Sequence, residues 1–157
     1  GYNPFGAAGQ GPAAPAGGGP TGPVIVNPQV MGLRDEVTGL LKEHRLPEAA
    51  ARYVALRAVD PRQVLAAQDQ LDVANQLMSE GKYAEAGRAY EDYLRVYPTG
   101  TQADQVMLIL GIIYARYWPN APRAIEMLKG ALGRLHDRGQ RELAEAELAR
   151  LGPPRPA

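Results

Sequence analysis

The chain has 157 residues, which is the length of one ordinary domain. Its 17 basic and 17 acidic residues cancel, so no net charge attracts nucleic acid or an anionic membrane surface. The absence of cysteine excludes disulfides, cysteine nucleophiles and thiolate metal sites.

The first 32 residues contain nine glycines, six prolines and no charged residue. Such a segment cannot bury enough apolar surface to offset the entropy that ordering would cost. We therefore predict a flexible Gly/Pro/Ala-rich linker over residues 1–26 and a short Pro-rich tail over residues 152–157. The apolar tripeptide Val24-Ile25-Val26 either docks on another surface or packs on the first helix as a hydrophobic staple.

From Asn27 onward the sequence has helix start and stop signals. Asn27-Pro28, Asp60-Pro61 and Asn120-Ala121-Pro122 each place a capping side chain ahead of a proline in the first helical turn. Apolar residues recur at every third or fourth position, and no segment alternates as a strand does. The sequence predicts an all-α fold with seven helices, over residues 28–43, 46–59, 61–80, 82–96, 102–117, 121–135 and 138–151.

The longest uncharged stretch beyond the linker runs from Gln105 to Ala115. Because a membrane-spanning helix needs about 20 apolar residues, we expect no direct membrane insertion of this segment.

An internal repeat links the predicted helices. A shift of 37 residues carries Ala49 onto Ala86 and Tyr53 onto Tyr90. A shift of 38 then carries Ala86 onto Ala124, and we place the extra residue in the turn 118–120. In each unit the small residue allows close approach of two helices, and the large apolar residue four positions later fills the space beyond. Proline ends the second helix of the first two units.

The second unit resembles the tetratricopeptide repeat (TPR), through Leu77, the run 81–86 (Gly-Lys-Tyr-Ala-Glu-Ala), Tyr90, Leu94 and Pro98. Leu110-Gly111 and Tyr114 match the signature of the next unit. The resemblance covers residues 30–151, in units longer than the usual length of about 34 residues. The run 90–98 is similar to a bacterial subtype found in envelope-assembly proteins and in soluble extensions of membrane proteins, rhomboid-type ones among them.

This resemblance implies an α-α superhelix of about three hairpins with a C-terminal capping helix, over residues 27–151. It also implies a concave groove formed by the first helix of each hairpin, which binds a peptide or partner helix. The groove residues expected to bind the partner are Leu71, Asn75, Gln105, Leu108, Ile112 and Arg116.

Within that groove, Leu108 and Ile112 are the expected apolar anchors. Alternatively, the capping helix or Val24-Ile25-Val26 covers them. Related modules clamp a terminal carboxylate with Lys, Asn and Arg. The corresponding positions here are Arg34, Thr38, Asp72, Gln105 and Ile109, so we do not expect that activity.

The resemblance predicts a non-catalytic protein-interaction module with a protein or peptide partner. The alternative is a soluble structural or regulatory extension of a larger bacterial membrane protein, with the tether upstream and the activity elsewhere. The sequence does not decide the compartment: the cytoplasmic face of a bacterial membrane and the periplasm are the two options.

No residue set predicts catalysis, a metal or a cofactor. His44 and His136 are far apart in sequence, and each is interpreted as a cation near a helix end. Ser79 is the only serine and no motif places a base beside it. The arginines alternate with acidic residues and form no run, so no nucleic acid is expected.

Three further expectations concern side-chain packing. Tyr83, Tyr90 and Tyr114 are predicted to be core residues whose hydroxyls reach the surface. Trp118 either packs on its hairpin or stays exposed for a partner. The residues Glu142, Glu145 and Glu147 are predicted to lie on a solvated helix face, together with Arg141 and Arg150.

Overall fold

The computed structural model describes residues 27–152, so the predicted linker over 1–26 and residues 153–157 of the predicted tail lie outside it. The described residues form seven α-helices, the fifth extended by a π-helical turn. These are α1 (Pro28–Lys42), α2 (Leu46–Val59), α3 (Ala67–Ser79), α4 (Tyr83–Val96), α5 (Ala103–Ile112) with the π-turn Ile113–Tyr117, α6 (Ala121–Leu132) and α7 (Arg138–Leu151).

The all-α prediction is confirmed, since residues 27–152 contain no strand. The helices form two compact units that divide between Tyr97 and Pro98. In the N-terminal unit, α1 packs on α2, α2 on α3 and α3 on α4. In the C-terminal unit, α5 packs on α6, and α7 packs mainly on α6. Each unit is thus a helical repeat-like stack of consecutive helices. The division was not predicted from the sequence.

Side-chain caps define three helix starts. The Asn27 Oδ1 accepts from the Gln29 N–H at 2.9 Å, and the Asn120 Oδ1 accepts from the Arg123 N–H at 3.2 Å. The Asp137 carboxylate accepts from the Gln140 N–H at 2.8 Å. Each cap satisfies a backbone donor that has no partner within its own helix.

The predicted start of the third helix at residue 61 is wrong, because α3 begins at Ala67. Asp60 does accept a backbone N–H, from Arg62 at 3.1 Å, but this bond closes a local turn. The following segment is held by tertiary hydrogen bonds instead. The Tyr97 hydroxyl donates to the Leu65 carbonyl at 2.8 Å, and the Leu65 N–H donates to the Gln70 Oε1 at 3.0 Å.

The repeat positions are the centres of packing. The small residues Ala49, Ala86 and Ala124 all have no exposed surface, as close approach between paired helices requires. Tyr53 and Tyr90 are each 1% exposed. The packing predicted from the internal repeat is therefore confirmed at these sites.

The first two hairpin turns have the same backbone geometry. In the second, Gly81 has φ +75°, its N–H donates to the Met78 carbonyl, and the Lys82 N–H donates to the Leu77 carbonyl. In the first, His44 has φ +58° and the same two bonds recur 37 residues earlier. Both are Schellman motifs, in which a left-handed residue ends the helix. His44 thus terminates α1 through its backbone.

The third hairpin differs from the first two within its first helix, whereas its loop has the same length. All three hairpin loops have three residues, 43–45, 80–82 and 118–120. The extra residue of the third repeat is taken up by the π-turn, where the Trp118 N–H donates to the Ile113 carbonyl at 2.8 Å. The predicted placement of that residue in the turn 118–120 is therefore wrong.

Candidate binding site

A pocket of about 380 Å³ in the N-terminal unit lies between its two first helices, α1 and α3. Thr38 of α1 and Asp72 of α3 line it, and both were among the sequence-predicted groove residues. The full lining is Thr38, Leu41, Lys42, His44, Leu46, Asp69 and Asp72. Asp69 in the first turn of α3 and Asp72 in the next turn place two carboxylates in this pocket.

The charges in this pocket are close enough to influence one another. Burial raises the pKa of Asp69, the neighbouring charge of Asp72 raises it further, and Lys42 opposes the shift. The Asp72 Oδ1 accepts from the Gln68 Nε2 at 2.8 Å. With two carboxylates against one ammonium, the lining favours a cationic group.

Of the other N-terminal groove residues, Arg34 and Leu71 have structural contacts. The Arg34 Nη1 donates to the Gln63 Oε1 at 3.0 Å and to the Val64 carbonyl at 3.1 Å, so it holds the segment before α3. Leu71 is 2% exposed and belongs to the core. Asn75 is exposed at the surface, and its Oδ1 accepts from the Tyr90 hydroxyl.

In the C-terminal unit, the two expected anchors pack inside the unit. Leu108 is 5% exposed and forms a cluster with Leu128 of α6 and Ala144 of α7. Ile112 is partly buried against the same cluster. The structure therefore corresponds to the alternative interpretation, in which the last helix covers these side chains, and Leu108 has little surface to offer a ligand.

The two polar residues of the predicted site in the C-terminal unit, Gln105 and Arg116, have different surroundings. Gln105 is exposed on α5. The Arg116 guanidinium donates to the Glu147 carboxylate of α7, and Arg150 also contacts that carboxylate, at 3.2 Å. The Glu147 side chain is 2% exposed, so its predicted place on a solvated face is wrong. Arg116 serves as the counter-charge of a buried acid.

Several aromatic side chains pack within their units, and Trp118 packs on its own hairpin. The Trp118 ring stacks on the Tyr114 ring with centroids 5.3 Å apart, and Arg123 lies 5.6 Å from the Tyr114 centroid. The Tyr97 hydroxyl donates to a buried carbonyl, and the Tyr90 hydroxyl donates to Asn75. The Tyr90 hydroxyl thus meets an exposed side chain, whereas the Tyr97 hydroxyl ends inside the unit.

Sequence reasoning missed five of the seven pocket residues, namely Leu41, Lys42, His44, Leu46 and Asp69. Helical spacing contained part of the signal, since Asp69 precedes Asp72 by three residues and Lys42 follows Thr38 by four. His44 required the repeat itself, since the equivalent Gly81 marks its position as a turn.

Residues 27–152 contain no group of three or more His, Asp or Glu side chains arranged to hold a metal ion. Among the described helices, none is both long and apolar enough to cross a membrane. No family model matches the chain, and no curated protein matches it at a significant level.

Proposed function

We propose that this chain is a non-catalytic, TPR-like protein-interaction module that binds a peptide segment of a partner protein. The observation that carries the proposal is the pocket between α1 and α3, which lies where a repeat of this kind binds its ligands. Its lining combines the apolar side chains of Leu41 and Leu46 with the carboxylates of Asp69 and Asp72. This chemistry fits a peptide with a lysine or arginine next to an apolar residue.

A displayed random-peptide library selected on the full chain tests this function. Thr38 lines the pocket, so Thr38→Trp fills it, whereas Ala51→Trp adds the same ring at an exposed position on α2 outside the pocket. Selected peptides should carry a basic residue and should lose about tenfold or more in affinity for Thr38→Trp, which is about 1.4 kcal/mol. Ala51→Trp should bind them normally.

A second experiment tests the role of the pocket carboxylates. Asp72→Asn removes one charge that is partly exposed to solvent, so basic peptides should bind about two- to fivefold more weakly. Peptides that bind Thr38→Trp and the unmodified chain equally well would contradict a function located in this pocket.

The alternative function, a soluble extension of a larger bacterial membrane protein, is compatible with the same fold and stays a proposal. It concerns sequence outside this chain. Reading the genomic frame upstream of Gly1 tests it, and a membrane-spanning segment there is the expected result.

A further inference from the structure

The last helix, α7, brings little apolar surface of its own to the C-terminal unit. Of its 14 residues, only Ala144 and Glu147 are buried. Leu148 and Leu151 are partly buried against the core cluster of the unit. The helix is therefore attached through one small side chain, two partly buried leucines and one acid, and this packing contributes less than a fully apolar helix face would.

The surface beneath α7 is more apolar than the helix that covers it. This α7-covered surface belongs to α5, to α6 and to the segment that joins α6 to α7. Its side chains are Leu108, Ile112, Leu128, Ala131, Leu132 and Leu135. Without α7 these side chains would form a contiguous exposed apolar patch, and patches of that kind mark sites where another protein segment binds.

One cation of the hairpin contacts the buried face of α7. Arg116, in the π-turn, donates to the Glu147 Oε1 through Nε at 2.7 Å and also through Nη2. Arg150 contacts the other Glu147 oxygen at 3.2 Å, but it lies on α7 itself. Among residues 27–152, Arg116 pairs with no other carboxylate. Displacement of α7 would thus leave its guanidinium beside apolar surface without an acidic partner, and a carboxylate is its complement.

We propose that α7 is a displaceable cover and that the α7-covered surface binds an amphipathic helix of a partner protein. The helix already seated there shows the chemistry of that ligand, because its contacting residues recur at helical spacing, as Ala144, Glu147, Leu148 and Leu151. The partner helix therefore carries a Glu that pairs with Arg116. It has apolar residues three positions before this Glu and one and four positions after it. The proposal does not rest on the pocket between α1 and α3, because that pocket belongs to the N-terminal unit.

The occupant is a partner protein and not a second copy of this chain. The α7 of a second copy makes the same contacts as the chain's own α7. Segment 133–137 holds the chain's own α7 next to the surface, at an effective concentration in about the millimolar range. A second copy therefore gains nothing over the resident helix. A partner helix displaces it where its apolar residues pack more completely than the partly buried Leu148 and Leu151.

The test uses the full chain and a capped, fluorescein-labelled peptide with the sequence of residues 137–152, whose binding is followed by fluorescence anisotropy. The unmodified chain should bind the peptide weakly, since its own α7 covers the surface. The double variant Leu148→Ala, Leu151→Ala weakens the attachment of α7 and leaves α5 and α6 unchanged, so the peptide should bind at least about tenfold more tightly. Leu143→Ala, at a 44% exposed position of the same helix, is the matched control and should not change the affinity.

The ion pair provides a second measurement that does not depend on the folding of the leucine variant. Glu147→Gln in the chain also weakens the attachment of α7, so it should strengthen binding of the peptide. Glu147→Gln in the peptide should weaken its binding to that chain about threefold or more, because Arg116 then lacks a carboxylate partner. Adding Arg116→Gln to the chain should remove the difference between the two peptides.

Peptide binding that is no stronger in either α7 variant than in the unmodified chain would overturn the proposal, as would equal binding of the two peptides to the Glu147→Gln chain. Light scattering on the same samples covers the remaining occupant. Dimers of the α7 variants that do not bind the peptide would assign the surface to a second copy, and this result would also overturn the proposal.

Discussion

His44 and Gly81 occupy the same position in two successive hairpin turns, and both have a left-handed backbone, with φ +58° and +75°. Glycine adopts this conformation without a steric penalty, whereas a side chain such as that of His44 clashes with its own carbonyl. The first turn therefore uses a strained residue where the second uses an unstrained one.

His44→Gly should therefore stabilise the protein by about 0.5–1 kcal/mol, after allowing for the greater entropy of glycine in the unfolded chain. Urea denaturation measures the change. The reverse control is Gly81→Ala, which forces a side chain into the same geometry and should cost about 1 kcal/mol. A destabilised His44→Gly variant would mean that the imidazole contributes more than its backbone strain costs.

Gly111→Ala should destabilise the C-terminal unit by about 1–3 kcal/mol. A Cβ at this position would lie 2.7 Å from two side-chain carbons of Leu128 and 3.4 Å from its backbone nitrogen, so α5 and α6 would have to separate. The matched control is Gly39→Ala on α1, where no atom beyond the adjoining residues and the backbone of the same helix would lie within 4 Å of the added Cβ. That variant should gain about 0.5–1 kcal/mol from helix propensity, so thermal melts should move in opposite directions.

Replacing Gln70 should be costly, because it is fully buried and bonds three groups. Its Nε2 donates to the Tyr53 hydroxyl oxygen and to the Ala89 carbonyl, each at 2.9 Å, and its Oε1 accepts from the Leu65 N–H. Gln70→Ala leaves these groups without partners, and the expected loss is at least about 2 kcal/mol. Gln105→Ala, at an exposed position, should change the urea midpoint little.

The double variant Leu108→Ser, Ile112→Ser should lower stability by more than about 3 kcal/mol, since Leu108 belongs to the core of the C-terminal unit and the partly buried Ile112 packs against it. Leu143→Ser is the control: Leu143 lies on α7 and is 44% exposed, so it should change stability by less than about 0.5 kcal/mol. A double variant as stable as the parent chain would restore these residues as candidate ligand anchors.

Stability should fall at alkaline pH. Burial raises the pKa of Tyr53 from its ordinary value of 10.0 to about 12, and burial also raises the pKa of Tyr90. Because the fold favours the neutral phenol, its contribution is complete below pH 10 and is lost as the pH rises towards 12. The urea midpoint at pH 11 should therefore be lower than at pH 8. Tyr53→Phe should reduce this difference between the two midpoints. The control Tyr117→Phe, at an exposed position, should leave the difference unchanged.

Local signals were enough to predict much of the fold. Asn27-Pro28 marked the start of α1, and the alanines at 49, 86 and 124 marked where helices approach each other. These features depend on residues within a few positions of one another, so the sequence displays them directly.

The failures have a different physical origin. Asp60-Pro61 suits both a helix start and a turn. The choice depends on bonds such as that from the Tyr97 hydroxyl to the Leu65 carbonyl, two residues that are 32 positions apart in the sequence. Leu108 is equally apolar in a core or on a binding surface, and the position of α7 decides which it is. The pocket was partly predicted because the family resemblance assigned Thr38 and Asp72 to the groove, whereas Asp69, one helical turn before Asp72, was missed.

The π-turn at Ile113–Tyr117 has a consequence for how such repeats change in length. A one-residue insertion normally rotates everything that follows by about 100° around the helix axis, which would turn Ala124 away from its neighbour. Here one turn is widened from i→i+4 to i→i+5 hydrogen bonding, and this turn accommodates the inserted residue before the chain reaches the loop. The face that α6 presents to α5 is therefore unchanged. The spacing of repeats can therefore vary in the first helix of a hairpin while the second helix keeps its packing pattern unchanged.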